Sequence, residues 1–480
     1  MTLGEAMKRG NFLRAGAGML AVASIPRLTR RALASDVVDV TLRSSPVGFS
    51  PGPSLHFSGL AYNGTIPGPL LRVVHGQRVR VRYVSGVNVP TSIHWHGMLL
   101  PNDMDGAAGV TQPAVRRGGS FVYDFAPGPP GTRWYHDHAF SLASARGLFG
   151  MFVVEDPNDE PADREFALVF HDVPRWRSME AAMQGVSAAP MSDPMGSGQS
   201  MQMMHARMGD EVAYAAHCIN GATYPNGKKL AVHLGDRVRL RLLNASPTQT
   251  RYVRLAGHEL VVTHADGNPL AQALTVDALR IGGGERYDAF FEVRKAGAFL
   301  LQGISSDPLE SQQAVMLYTE GMENAPAQTE SPMLDGLRLF TYEAAGGVGA
   351  QTKPAMEARA TYDLVLGGGG WGSSRWTIEG KIWPSTPKLR VRHGEVVTVR
   401  FRNTSEMDHP MHLHGHIFML TEVNEMPLLR PLAKDGSLVS ANGTATWRFT
   451  ADSSPGRWLL HCHNEIHMND GMMTELVYIT

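Results

Sequence analysis

Twenty histidines occur in this 480-residue sequence, and chance at that frequency gives about one His-x-His triplet. Five are present, and four stand out: HWHG (His94, His96), WYHDH (His136, His138), HPMHLHGH (His412, His414) and HCH (His461, His463). On a β-strand, residues i and i+2 point to one face, so each pair is a two-point grip for a metal. Imidazole suits copper, zinc, iron and nickel alike, and one pair alone decides little. Eight such histidines are too many for one ion and suit a cluster of metals. Two pairs lie early in the chain and two lie late, so the ends of the chain must meet in space.

Cys462 sits between His461 and His463. In a strand its side chain points to the face opposite theirs, so it cannot share their metal and needs a second one. His409, His467 and Met472 are near in sequence, and two histidines, a cysteine and a weak axial methionine make a blue electron-transfer copper site. The backbone from Cys462 into its two neighbours then joins the two sites covalently. The other cysteine, Cys218, has no remaining partner and reads as a small buried core residue.

One pattern occurs three times and must position these residues: YNGTIPGPLLRVVHGQRVRVRYVSG (62–86), CINGATYPNGKKLAVHLGDRVRLRLLNAS (218–246) and TIEGKIWPSTPKLRVRHGEVVTVRFRNTS (377–405). Each has a glycine (Gly76, Gly235, Gly394) followed at plus three and plus five by apolar residues and at plus six by Arg82, Arg241 or Arg400. Period-two alternation makes each a half-buried strand entered through a glycine turn. Repeats this far apart are whole domains. With abundant Gly and Pro, the expectation is an all-β chain of three consecutive Greek-key barrel or sandwich domains, at 35–157, 158–325 and 326–480. The stretch LGGGGWGSS (366–374) lacks the ending of a phosphate loop and reads as a flexible turn.

Residues 1–34 read as an export signal. Basic Lys8, Arg9 and Arg14 precede a short, weakly apolar run, and ALA ends at Ala34. The basic RLTRR before the cut suits the twin-arginine route, although Gly10 stands where the second arginine belongs. The expected location is the bacterial periplasm. Charge is nearly balanced, with 44 basic and 45 acidic residues, so no global field favours nucleic acid or an anionic membrane. No membrane span is expected, and the protein is expected to be monomeric.

HWHG, WYHDH, HPMHLHGH and HCHNEIHMNDGM, in this order, resemble the four copper motifs of the multicopper oxidase family, in its three-domain bacterial laccase and cuprous oxidase form. The resemblance implies cupredoxin-like domains and four copper ions per chain. His409, Cys462, His467 and Met472 would hold type 1 copper, and His94 and His412 type 2. His96, His136, His138, His414, His461 and His463 would hold the type 3 pair. The implied activity is one-electron oxidation of a reductant at type 1, coupled to four-electron reduction of O2 to water at a trinuclear cluster between domains 1 and 3. Asp105 matches the family's carboxylate near that cluster and could relay protons. Many bacterial relatives carry Glu where this chain has Met468; Glu465 or Asp470 could take that role. A methionine axial ligand implies a type 1 potential on the lower side of the family range.

Residues 179–208 hold eight methionines where composition gives about two. Pro, Gly and Ser break any period, so this is a Met-rich insertion near the start of domain 2. Thioether is a soft ligand that selects Cu(I), and Met201, Met203, Met204 and His205 could chelate one ion. Met407, flanked by Glu406 and Asp408 beside His409, is a second docking point for Cu(I). The leading expectation is a cuprous oxidase in copper homeostasis with secondary laccase-like oxidation of phenols. The alternatives are a general laccase for phenols and aromatic amines and, in another class, a copper-binding or storage protein.

Overall fold

The computed structural model describes residues 37–176, 179–180, 212–304, 313–349, 358–369 and 375–479. The proposed export signal, Met201, Met203, Met204 and His205 lie outside the described residues, as does nearly all of the Met-rich stretch. Strands make up almost all regular structure, arranged as three cupredoxin-like units in succession.

Each unit stacks two sheets. In the first, Leu55–Tyr62, Val37–Gly52, Arg78–Ser85 and Ser120–Phe125 form one layer. Leu71–Val74, Phe149–Glu155, Gly131–His136 and His94–His96 form the other. Trp95 bridges the layers, its ring against Tyr123 on one side and Phe152 on the other. The second unit has two six-stranded sheets and the third a six-stranded and a five-stranded one.

The three sequence repeats occupy one place in the three units. Arg78–Ser85, Arg237–Asn244 and Glu395–Asn403 each run parallel to the opening strand of their unit and antiparallel to a later one. Their alternating apolar residues Val79, Val81, Val238, Leu240, Val397 and Val399 are fully buried, each burial contributing roughly 1.5–3 kcal/mol. The arginine at plus six behaves differently in the middle unit. Arg82 and Arg400 are exposed, whereas Arg241 is buried and pairs with Asp288 at 3.0 Å and Glu165 at 2.8 Å. The outer face of that sheet is covered by the first unit, whose Thr132 accepts from Arg241 at 3.0 Å.

The chain does not leave the second unit at 325. Leu339–Phe340 adds a parallel strand beside Ala278–Ile281 in the second unit's sheet, so that unit extends to about Phe340. A polar, Pro-containing stretch resembles a linker in sequence, but here it runs over the sheet and returns to pair. Cys218 is a free, fully buried thiol. No helix among the described residues is long and apolar enough to cross a membrane.

The motif-bearing strands are neighbours. His94–His96 pairs antiparallel with Gly131–His136, setting His94 opposite His136. His409–Leu413 pairs with Arg457–Cys462, setting His412 opposite His461 and Met411 opposite Cys462. After Cys462 the chain forms a short helix, Glu465–Asn469, rather than a plain loop. Asn464 caps it, its side chain accepting from the amides of Ile466 and His467.

Candidate metal centre

Eight histidines from the first and third units meet in one buried cluster, every ring below a tenth exposed. They fall into sets by contact. His94 Nε2 and His412 Nε2 are 3.4 Å apart. His461 Nε2 lies 3.2 Å from His138 Nε2 and 3.0 Å from His414 Nε2. The rings of His96, His136 and His463 lie 5.0–5.7 Å apart between centroids, and across the two units His96 stacks on His412 at 3.6 Å and His94 on His414 at 3.7 Å.

The opposite nitrogen of most rings is held by the protein, which fixes the tautomer. Asp105 sits between two of them, its Oδ1 3.2 Å from His94 Nδ1 and its Oδ2 2.9 Å from His414 Nδ1. His136 and His461 direct Nδ1 at the carbonyls of Asp137 and Cys462, at 3.0 and 2.8 Å, and His412 does so at the carbonyl of Asp435, at 2.8 Å. These contacts leave Nε2 facing inward. His96 is reversed: its Nε2 is 3.1 Å from Asp435 Oδ1, so Nδ1 faces the cluster. His96 Nδ1, His136 Nε2 and both His463 nitrogens have no hydrogen-bond partner among the described residues. Burial, aided by mutual repulsion, holds His96, His136, His138, His412, His414 and His463 well below the ordinary histidine value, and burial takes His461 to about 4. Neutral, inward-facing, unpartnered imidazole nitrogens are the donor set that copper takes.

A second site lies on the other face of the HCH strand. Cys462 Sγ is 3.8 Å from His409 Nδ1 and 3.5 Å from His467 Nδ1, and those two nitrogens are 2.9 Å apart. All three residues and Met472 are fully buried. Ser405 Oγ contacts His409 Nε2 at 2.8 Å, which turns Nδ1 toward the sulfur. The Cys462 amide donates to the Met472 carbonyl at 3.0 Å, tying the far methionine to the same strand end. A buried thiolate, two imidazoles and a thioether fit type 1 copper.

Among the described residues the middle unit contributes no histidine to the cluster, yet it closes it. Gly284 lies so near that a Cβ there would be 3.0 Å from the His463 ring and 3.2 Å from His96. Arg286 forks onto Asp435 at 2.8 and 2.5 Å, and Asp435 orients His96. The glycine of HWHG makes room for this pair: at Gly97 a Cβ would stand 2.3 Å from Arg286 Nη2 and 2.4 Å from Asp435 Oδ2. Sequence reasoning missed Asp435 and Arg286, because neither lies in a histidine motif. It also missed Asp137, which the i, i+2 rule could have found. Like Cys462, Asp137 stands between two cluster histidines and points away from them, accepting from Ser92 N and Ser141 Oγ at 3.0 and 3.2 Å.

Glu465 is buried and accepts a hydrogen bond from Ser144. Burial, with Asp137 nearby, pushes its carboxyl up to about 7, and burial does the same to Asp137. Met468 is buried in the Glu465–Asn469 helix, and Asp470 is the half-buried cap at its C-terminus. Around Met407 the surroundings differ from those expected for a Cu(I) dock. Glu406 is exposed, but Asp408 is held by Arg280 of the middle unit and accepts from Ala441 N at 2.9 Å.

Met179, the first residue of the Met-rich stretch, and Val212, four residues past its end, are both buried in one cluster with Ala145 and Ile466, the residue before His467. A cleft of about 620 Å³, lined by Phe49, Phe57, Phe149, Arg146, His171 and Trp176, opens next to this cluster.

Comparison with known proteins accords with the site. Three family models, each described as multicopper oxidase, match residues 49–159, 191–318 and 355–479 in turn. The chain is similar to multicopper oxidase MmcO of Mycobacterium tuberculosis, 34% identical over 92% of this chain and 87% of the relative. It is also similar to a copper resistance protein A homolog of Pseudomonas syringae pv. tomato, 25% identical over 87% and 89%. Among solved structures, the multicopper oxidase of Pseudomonas thermotolerans is 26% identical with a TM-score of 0.67, covering 93% of this chain and 100% of that one. Fet3p, a multicopper oxidase that functions in iron import, is alike in fold, with a TM-score of 0.76 at 19% identity over 92% and 90%.

Proposed function

The chain belongs to the multicopper oxidase family, and on that footing we propose that it is a cuprous oxidase carrying four copper ions. As a member of the family it is a copper-dependent oxidoreductase that uses O2 and a reductant. In this reading His409, Cys462, His467 and Met472 hold type 1 copper, and His94 and His412 hold type 2. His138, His414 and His461 hold one type 3 ion, and His96, His136 and His463 hold the other. The copper ions, when bound, supply a one-electron acceptor for the reductant and the means to take O2 to two waters. What supports the division is the close approach of His94 to His412, of His461 to His138 and His414, and of Cys462 to His409 and His467, with the rings of His96, His136 and His463 facing one another at 5.0–5.7 Å.

The residues around the metals have separate tasks. Asp105 fixes the tautomers of His94 and His414 together, and it is the proposed carboxyl that passes protons toward O2. Glu465 supplies the second such group where Met468 cannot, its carboxyl oxygen reached through Ser144. Burial of all eight rings excludes water from the space where O2 is reduced. The covalent run His461–Cys462–His463 joins the two sites.

Cu(I) is the proposed physiological substrate. The observation that carries this is the packing of Met179 and Val212, which bracket residues 181–211, in one cluster with Ile466, the residue before His467. A thioether-rich segment anchored there would present a soft ion beside the proposed electron entry point. Export to the periplasm and action as a monomer are part of the same proposal. The 620 Å³ aromatic-lined cleft favours a second reading, a general laccase for phenols and aromatic amines. Deleting 181–208 separates the two. Cu(I) turnover should fall at least tenfold while turnover of a phenol is retained; unchanged Cu(I) turnover refutes the cuprous oxidase reading. Wild-type protein lacking four coppers, an intense blue band or O2 uptake would leave only copper storage.

A further inference from the structure

His467 does not reach the surface. The Trp376 ring lies on it, with centroids 3.7 Å apart and planes inclined by 31°, and stands edge-on to His409 at 5.3 Å. Trp376 is 3% exposed and both histidines are 0% exposed, so the indole covers one face of His467. Its position in the fold agrees: among the described residues Trp376–Ile378 is an edge strand of its sheet, paired with Ala360–Gly368 alone.

The indole is also locked in place. Gly368 pairs directly with Trp376, and Gly369 rests against its six-membered ring. A Cβ at Gly369 would stand 2.1 Å from Trp376 Cη2 and 2.5 Å from Cζ2. Gly369 holds φ at +66°, where a side chain is rarely tolerated. The first glycines of LGGGGWGSS are therefore a seat for this ring.

We propose that Trp376 is a specificity-determining residue for the reductant: it holds bulky aromatic donors off the His467 imidazole. This rests on the reading of Cys462, His409 and His467 as the electron entry site. With the indole in place, a phenol ring approaching that face of His467 can come no nearer than roughly 7 Å, two ring spacings instead of one. The overall reaction is the same for every donor. Four one-electron donors are each oxidised once, and one O2 with four protons becomes two waters. Only the closeness of approach differs with donor size.

The test compares Trp376→Ala and Trp376→Phe in the copper-loaded protein, with 2,6-dimethoxyphenol as the bulky donor and ferrocyanide as the inorganic one. The ratio of kcat/KM for the phenol to that for ferrocyanide should rise at least tenfold in the Ala variant and stay near wild type in the Phe variant, which keeps an aromatic plate. In the metal-free protein, diethyl pyrocarbonate should modify His467, read by peptide mass mapping, at least tenfold faster in the Ala variant than in wild type. Trp376→Leu, which retains apolar volume, replaces Ala if the latter does not fold. A smaller rise in the ratio, an equal rise in the Phe variant, or unchanged His467 modification overturns the proposal. Failure of the entry-site reading is distinguishable, because it would show as wild-type protein whose blue absorption is not bleached by either donor, while the modification rates still report the shielding.

Discussion

Replacing Arg286 by Ala tests whether the middle unit, which offers the cluster no histidine, helps to hold it. The guanidinium is fully buried and makes five hydrogen bonds. Two go to Asp435, at 2.8 and 2.5 Å, and the others to the carbonyls of Thr132, Gly284 and Asp266. Three domains thus meet on one side chain. Removal strands the Asp435 carboxylate at 0% exposure, with Arg133 at 3.6 Å as its remaining close cation. Breaking a buried pair in this way costs about 3–5 kcal/mol. For a cooperative unit of this size, that lowers the melting temperature by on the order of 10 °C. Asp435 also orients His96 through Nε2, and loss of such a partner costs about 10–100-fold in metal affinity. The assays are thermal unfolding of the metal-free protein and copper content after dialysis against a weak chelator. Arg286→Lys keeps the charge but not the fork, and should fall between the two. If the Ala variant melts within 2 °C of wild type, a limit set at about the shift of 1 kcal/mol, and retains its copper, the argument that the middle unit holds His96 is refuted.

Three further outcomes follow from the same geometry. Gly97→Ala places a Cβ within 2.4 Å of both Arg286 and Asp435 at a φ of +79°; copper content should drop as in the Arg286 variant, and a normal content would contradict the close approach. Asp288 is buried against Arg241 and Arg239, which hold its carboxyl well below the usual range despite burial. A depressed carboxylate adds stability above its unfolded value of about 4 that is lost as pH falls through the folded one; Asp288→Asn should therefore destabilise at pH 7 and flatten the loss of stability below pH ~4, read by chemical denaturation across pH. Cys462→Ser should abolish the blue absorption and O2 uptake while leaving the eight cluster histidines able to bind copper, measured as metal content; loss of all copper would mean the two sites are not separate.

Local periodicity made much of this protein legible. The alternation of side chains on a strand put Cys462 on the face opposite His461 and His463, and 3.5–3.8 Å now separates its sulfur from His467 and His409. The same rule, left unapplied to Asp137, would have marked the buried carboxyl between His136 and His138. Repeated glycine-entered strands gave the three-unit architecture, because each repeat buries the same alternating face. The short helix after Cys462 was not legible, because its five residues are too few for a period to show.

What remained hidden involves partners distant in sequence. Residues 320–334 look like a linker because they are polar and contain proline, but the pairing of Leu339–Phe340, just beyond them, with Ala278–Ile281 depends on where that sheet edge lies. Arg241 matches Arg82 and Arg400 in position, and only the packing of the first unit on the second decides that it is buried. The sequence by itself determined the donor types, their division between two faces of a strand and the strands that carry them, since these follow from short-range geometry. Tertiary structure alone decided that Asp435 and Arg286 reach His96, that Gly284 presses on His463, and that Trp376 covers His467. Each of those contacts joins residues well over a hundred positions apart, or two elements whose separation is set by how sheets pack, and no local pattern encodes that distance.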